Sequence, residues 1–183
     1  MSERRRPPPE QLMPKMLNLR ALAAQADARR ACEMMRQHFH QDARIIWIAG
    51  ITLVRSVGHI LQKHDAVVHP TIAQPLKGFW AAWQNEIIFK KFIEPERNVL
   101  LKELGTAFET EFISEGLRFQ IDLGDLGLQS PIGALELSVA WWGQKISDLG
   151  QACGAQFVPD ASDTPALHDN LGWIGITGEV EGQ

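Results

Sequence analysis

The sequence predicts a mainly α protein, an up-and-down bundle of four to five helices with a short β-hairpin before the last helix and an extended C-terminal tail. Three observations predict it. Apolar residues recur at helical spacing through most of the chain, the pattern of helices that each turn one face to a core. One short stretch, Leu117 to Leu128, alternates apolar with polar residues and carries a Gly-Asp turn, as a hairpin does. With 183 residues, 45% of them hydrophobic, the chain can bury a sizeable core as one domain.

The N-terminal stretch "MSERRRPPPEQLMP" puts prolines after its arginines where a secretory signal would need an apolar run, so residues 1–16 are expected to form a flexible arm. From Leu17 to Phe39, Ala21, Ala24, Ala28, Ala31, Met35 and Phe39 mark one face of a first helix. "QDARIIWIAGITLVRSVGHILQKHD" has no proline and is apolar nearly all round in its first half, as expected of the central helix of a bundle. Its longest apolar run, "IIWIAGITLV", is too short to span a bilayer. "HPTIAQP" breaks the helical pattern. A third helix is predicted over Leu76 to Phe89, packing through Phe79, Trp80, Trp83, Ile87 and Ile88. A fourth opens near Ile93 and runs to about Ser114 with the row Leu100, Leu101, Leu104, Phe108 and Phe112. The last helix, "ALELSVAWWGQKISDLGQAC", carries Leu135, Val139, Trp142, Ile146 and Leu149 on one face. The bundle domain therefore covers residues 17–153, and 154–183 form an acidic tail, in which Trp173, Ile174 and Ile176 suggest a terminal strand that docks.

Charge narrows the classes of function. Residues 154–183 carry five acids and no Lys or Arg, which leaves 18 basic residues against 17 acids in the first 153. A nearly neutral body lacks the broad electrostatic footprint of a DNA-binding domain, so no DNA partner is expected, although a local basic cleft is compatible with it. The two cysteines, Cys32 and Cys153, have no metal-type or disulfide-scaffold spacing, which points to a reducing cytoplasm. His38 and His40, and the series His59, His64, His69, do not fall on one helical face, so neither a metal nor another cofactor is expected. No phosphate loop or nucleophile elbow occurs.

The stretch "FIEPERNVLLKEL", residues 92–104, carries the functional reading. Glu94, Pro95 and Glu96 suit the first turn of a helix, where proline fits and acids complement the helix dipole. Arg97 falls on the Ile93, Leu100, Leu101, Leu104 stripe and is expected to point inward, with Glu94 as a salt-bridge partner three residues back. On the central helix Arg55 and His59 lie one turn apart among apolar residues. They either pair with core acids such as Glu94 or Glu103, or meet Arg97 and Asn98 in one polar pocket able to hold a phosphate or carboxylate.

A helical bundle of this size with Glu-x-x-Arg-Asn on a late helix resembles the HEPN superfamily over about residues 17–153. That resemblance implies a homodimer through the helix bearing Arg97, and a place among prokaryotic defence or toxin-antitoxin systems. In active HEPN ribonucleases a histidine follows the arginine, whereas Lys102, Glu103 and Leu104 stand in those places here. The expected function is a non-catalytic binding or assembly protein that takes RNA, a nucleotide or a protein partner through a pocket of Arg97, Asn98, Glu94, Arg55 and His59. The alternative is an atypical metal-independent ribonuclease using Arg97, Asn98 and Lys102. Lysine stabilises anions but shuttles protons poorly near neutral pH.

Overall fold

A computed structural model describes residues 15–37, 42–103 and 120–160, the side chains of 101–103 excepted. The chain is an α-helical bundle with two small pairs of strands. Strand β1 (Lys15–Leu19) leads into α1 (Arg20–Gln37). Helix α2 (Ala43–Ile60) continues through a π-helical stretch, Leu61–Asp65, and a last turn, Ala66–Val68. Next come α3 (Pro70–Asn85), a π-helical turn Phe89–Ile93 and α4 (Glu94–Glu103). The hairpin of β2 (Ile121–Asp122) and β3 (Leu128–Gln129) precedes α5 (Pro131–Cys153), and β4 (Ala155–Pro159) follows it.

The inward faces predicted for the first and last helices hold. Ala21, Ala24, Ala28, Ala31 and Met35 of α1 are buried, as are Leu135, Val139, Trp142, Ile146 and Leu149 of α5. From Ala43 to Val68 the second helix is long and apolar enough to cross a membrane by length and composition alone. In the bundle its apolar side is spent on the core, where Trp47, Ile51, Val54, Val57 and Leu61 are almost wholly enclosed. The predicted residues Phe39, Leu104, Phe108, Phe112, Trp173, Ile174 and Ile176 lie outside the described residues, as do the first part of the hairpin stretch and the far end of the fourth helix.

Several boundaries differ from expectation. The first helix starts at Arg20 because Lys15–Leu19 is a strand paired in parallel with Ala155–Pro159, Leu17 opposite Phe157. The arm and the tail thus each contribute a strand that seals the end of the bundle, with Leu17 and Leu19 turned inward. The third helix starts at Pro70, where the missing N–H costs nothing in a first turn. Pro75 lies within that helix and leaves the Thr71 carbonyl without its usual donor; the Cys153 thiol points at that oxygen, 3.8 Å away. Ser130 caps α5 by accepting from the Gly133 amide at 3.0 Å, and Gly154 ends it with φ +59.

Two contacts hold the layers together. Asp65, 1% exposed, accepts from the backbone amides of Arg20 and Ala21 at 3.2 and 3.0 Å. An acid from the end of the second helix therefore caps the first, which has no acid of its own in its first turn. Glu86, at the extended break after α3, accepts from Trp141 Nε1 and pairs with Lys145, both at 2.6 Å. Asp65→Ala should lower stability by about 3 kcal/mol, because it removes two charge-assisted hydrogen bonds and leaves the buried Ala21 amide and the part-buried Arg20 amide bare. Chemical denaturation with an unchanged m-value measures this; a loss below about 1 kcal/mol would mean that water caps α1 equally well.

Candidate functional site

Thr52, Arg55, Ser56 and His59 follow one another on α2 at i, i+3, i+4 and i+7, a polar stripe on a very apolar helix. α4 packs across this side of α2 and brings Arg97 and Leu100 opposite. Together with Ile51 these side chains line a cleft of about 220 Å³. Ile51 and Leu100 make it apolar beneath, at 1% and 9% exposure.

Arg55 is half-buried, its guanidinium carbon 5.7 Å from the centroid of the wholly buried Phe89 ring, within range of a cation–π contact. Its Nε is buried and has no hydrogen-bond partner. Burial, and after it the positive charge of Arg97, push the Arg55 pKa below its ordinary value, while Glu94 pulls the other way. The group stays charged, since arginine is not deprotonated in proteins. Two guanidinium groups therefore meet in one cleft, and among the described residues neither has an ion-pair partner.

Arg97 does not point into the bundle as the stripe predicts. It is exposed at the rim of the cleft and donates from Nη1 to Asn98 Oδ1 at 3.0 Å. Ile93 and Leu100 are buried as predicted, but the position between them on the inward face is taken by Glu96, three residues after Ile93 and four before Leu100, and not by Arg97. Glu94 is exposed, and it is seen near Arg55 only through its charge. The expected ion pairs of Glu94 with Arg97 or Arg55 are not formed among the described residues. Lys102 belongs to α4, but its side chain, like that of Glu103, lies outside the described residues.

The structure thus unites Arg55, His59 and Arg97, keeps Asn98 beside them as a partner of Arg97, and leaves Glu94 outside the lining. Thr52 and Ser56 are cleft residues that sequence reasoning missed, although their spacing from Arg55 and His59 was legible. The remaining histidines disperse: His64 Nδ1 lies 2.9 Å from Asp65, and His69 Nε2 lies 2.8 Å from the Asn18 carbonyl. Among the described residues no three His, Cys, Asp or Glu gather as metal ligands. A larger groove, about 520 Å³, runs between α5 and β4, but no charged side chain lines it. The smaller cleft has the chemistry.

Comparison with family models, curated proteins and solved structures returns no match. The cleft therefore stands on its own geometry.

Beside the cleft, Glu96 is 9% exposed and its Oε2 has no partner. Burial raises its pKa above the ordinary value of 4.5. A raised carboxyl pKa means that the folded state holds the proton more tightly, so Glu96 begins to work against the fold as the pH rises through 4.5 and does so fully above the raised value. Glu96→Gln should stabilise the protein at neutral pH by about 1 kcal/mol, because the amide fills the same space without a charge to desolvate. That gain should vanish as the pH falls below 4.5. Urea midpoints from acid to neutral pH measure it, and a variant less stable than wild type at pH 7 would show an ion partner for Glu96.

Proposed function

We propose that this chain is a HEPN-like, non-catalytic binding or assembly protein of the cytoplasm, working as a homodimer in a prokaryotic defence or toxin-antitoxin type system. Its ligand, RNA, a nucleotide or a protein partner, binds through the cleft around Arg97. The observation that carries this reading is the meeting of Arg55 and Arg97 without an ion-pair partner among the described residues. Converging like charges repel, and an anion placed between them turns that repulsion into attraction. Arginine offers a planar fork matched to phosphate and carboxylate, so a phosphate on RNA or a nucleotide fits, as does an acidic side chain of a partner.

His59 favours a second reading. It puts an imidazole in the Arg97 cleft from a different helix, where a metal-independent ribonuclease built on Arg97, Asn98 and Lys102 would need a group to carry protons.

One pair of assays separates the two. With mixed short RNAs the full chain should bind without cutting, and Arg97→Ala should weaken binding by about 10- to 100-fold, the worth of one charge-assisted hydrogen bond. Cleavage by the wild type that is lost in Arg97→Ala would sink the non-catalytic reading. Unchanged affinity in the variant would remove the cleft from it.

A further inference from the structure

The cleft presents acceptors as well as donors. The Thr52 hydroxyl donates to the Ile48 carbonyl and the Ser56 hydroxyl donates to the Thr52 carbonyl, each at 2.7 Å. A carbonyl can only accept, so with the cleft free the single proton of each hydroxyl is engaged by the helix, and a ligand that leaves those bonds in place meets oxygen lone pairs. Arg55, between them on the stripe, has donors alone, as has Arg97 across the cleft. Along α2 the order is therefore acceptor, cationic donor, acceptor.

A fully ionised phosphate or carboxylate only accepts. It satisfies the two guanidiniums, but gains a hydrogen bond from Thr52 or Ser56 only where the hydroxyl gives up its bond to the helix. A ligand with a hydroxyl beside its anionic group satisfies both kinds of site at once. Size limits the choice further: about 220 Å³ is below the 300 Å³ or so at which pockets begin to enclose whole small-molecule ligands. The cleft thus holds an anionic group and the few atoms next to it, with the rest of the ligand outside.

We propose that the cleft binds a phosphomonoester whose neighbouring carbon bears a free hydroxyl, the arrangement at the 3′-phosphate end of a ribose. The phosphate meets Arg55 and Arg97, and the vicinal hydroxyl donates to Thr52 or Ser56. This rests on the anion-binding reading of the same cleft and adds to it a requirement for a donor in the ligand.

Isothermal titration of the full chain with adenosine 3′-monophosphate, its 2′-deoxy counterpart and inorganic phosphate tests it. The ribose compound should bind about fivefold more tightly than the deoxy compound, the worth of one neutral hydrogen bond. Thr52→Val with Ser56→Ala should erase that difference while both compounds still bind, and Arg97→Ala should weaken both. Equal affinities in the wild type, or a preference that survives the double substitution, would overturn the vicinal-hydroxyl inference and leave the anion site standing. Absence of binding by all three compounds would overturn both. Circular dichroism of each variant confirms that the helices persist.

Discussion

Phe89 is where the fold and the candidate site meet. Its ring is wholly buried and stands edge-on to Trp80, with centroids 6.0 Å apart at 79°, and tilted against Trp141 at the same distance. Through Trp80 and Trp141 it joins an aromatic assembly that includes Trp83 and Trp142, so α3, the π-helical turn and α5 share one apolar wall. Gly58 lets α2 lie against that wall, since a Cβ there would come within 2.7 Å of both Trp80 and Trp142. Edge and offset contacts of this kind contribute about 0.5–1.5 kcal/mol each beyond area burial. Arg55 leans on this wall, where the Phe89 ring replaces part of the water that a guanidinium would otherwise hold.

The same wall makes the cleft chemically unusual. A half-buried guanidinium normally carries a carboxylate with it, because an uncompensated charge near a low-dielectric core is costly. Here the neighbour on α4 is a second arginine, and Glu94 tempers Arg55 only by its field. The pair thus favours whatever anion enters. Thr52 and Ser56 add oxygen acceptors on either side of Arg55, their protons tied into the helix. Rigid elements carry every lining residue, as precise recognition requires.

The helices were largely legible in the sequence because their apolar positions keep one period over many residues, as Ala21 to Met35 and Leu135 to Leu149 show. What escaped was non-local. "KMLNL" and "AQFVP" are each too short to announce a strand, and each is satisfied only by the other across almost the whole chain. Asp65 gave no sign of capping a helix that begins 45 residues before it. At the candidate site, Arg55, His59 and Arg97 were found by their presence among apolar neighbours. The direction of Arg97 could not be read from the period alone, because Glu96 and Arg97 both lie three or four residues from Ile93 and Leu100, and either fits the inward face. Thr52 and Ser56 were passed over because a single hydroxyl carries no signal until its helical neighbours are considered with it.

The central claim is that Arg55 and Arg97 form one anion site, and the arginine side chains themselves can report on it. The full chain with ¹⁵N-labelled arginine can be followed by NMR as inorganic phosphate is added. The account predicts saturable shifts of the Arg55 and Arg97 Nε–H signals at a common midpoint, with the other arginines unmoved. Shifts confined to other arginines, or different midpoints for Arg55 and Arg97, would contradict it.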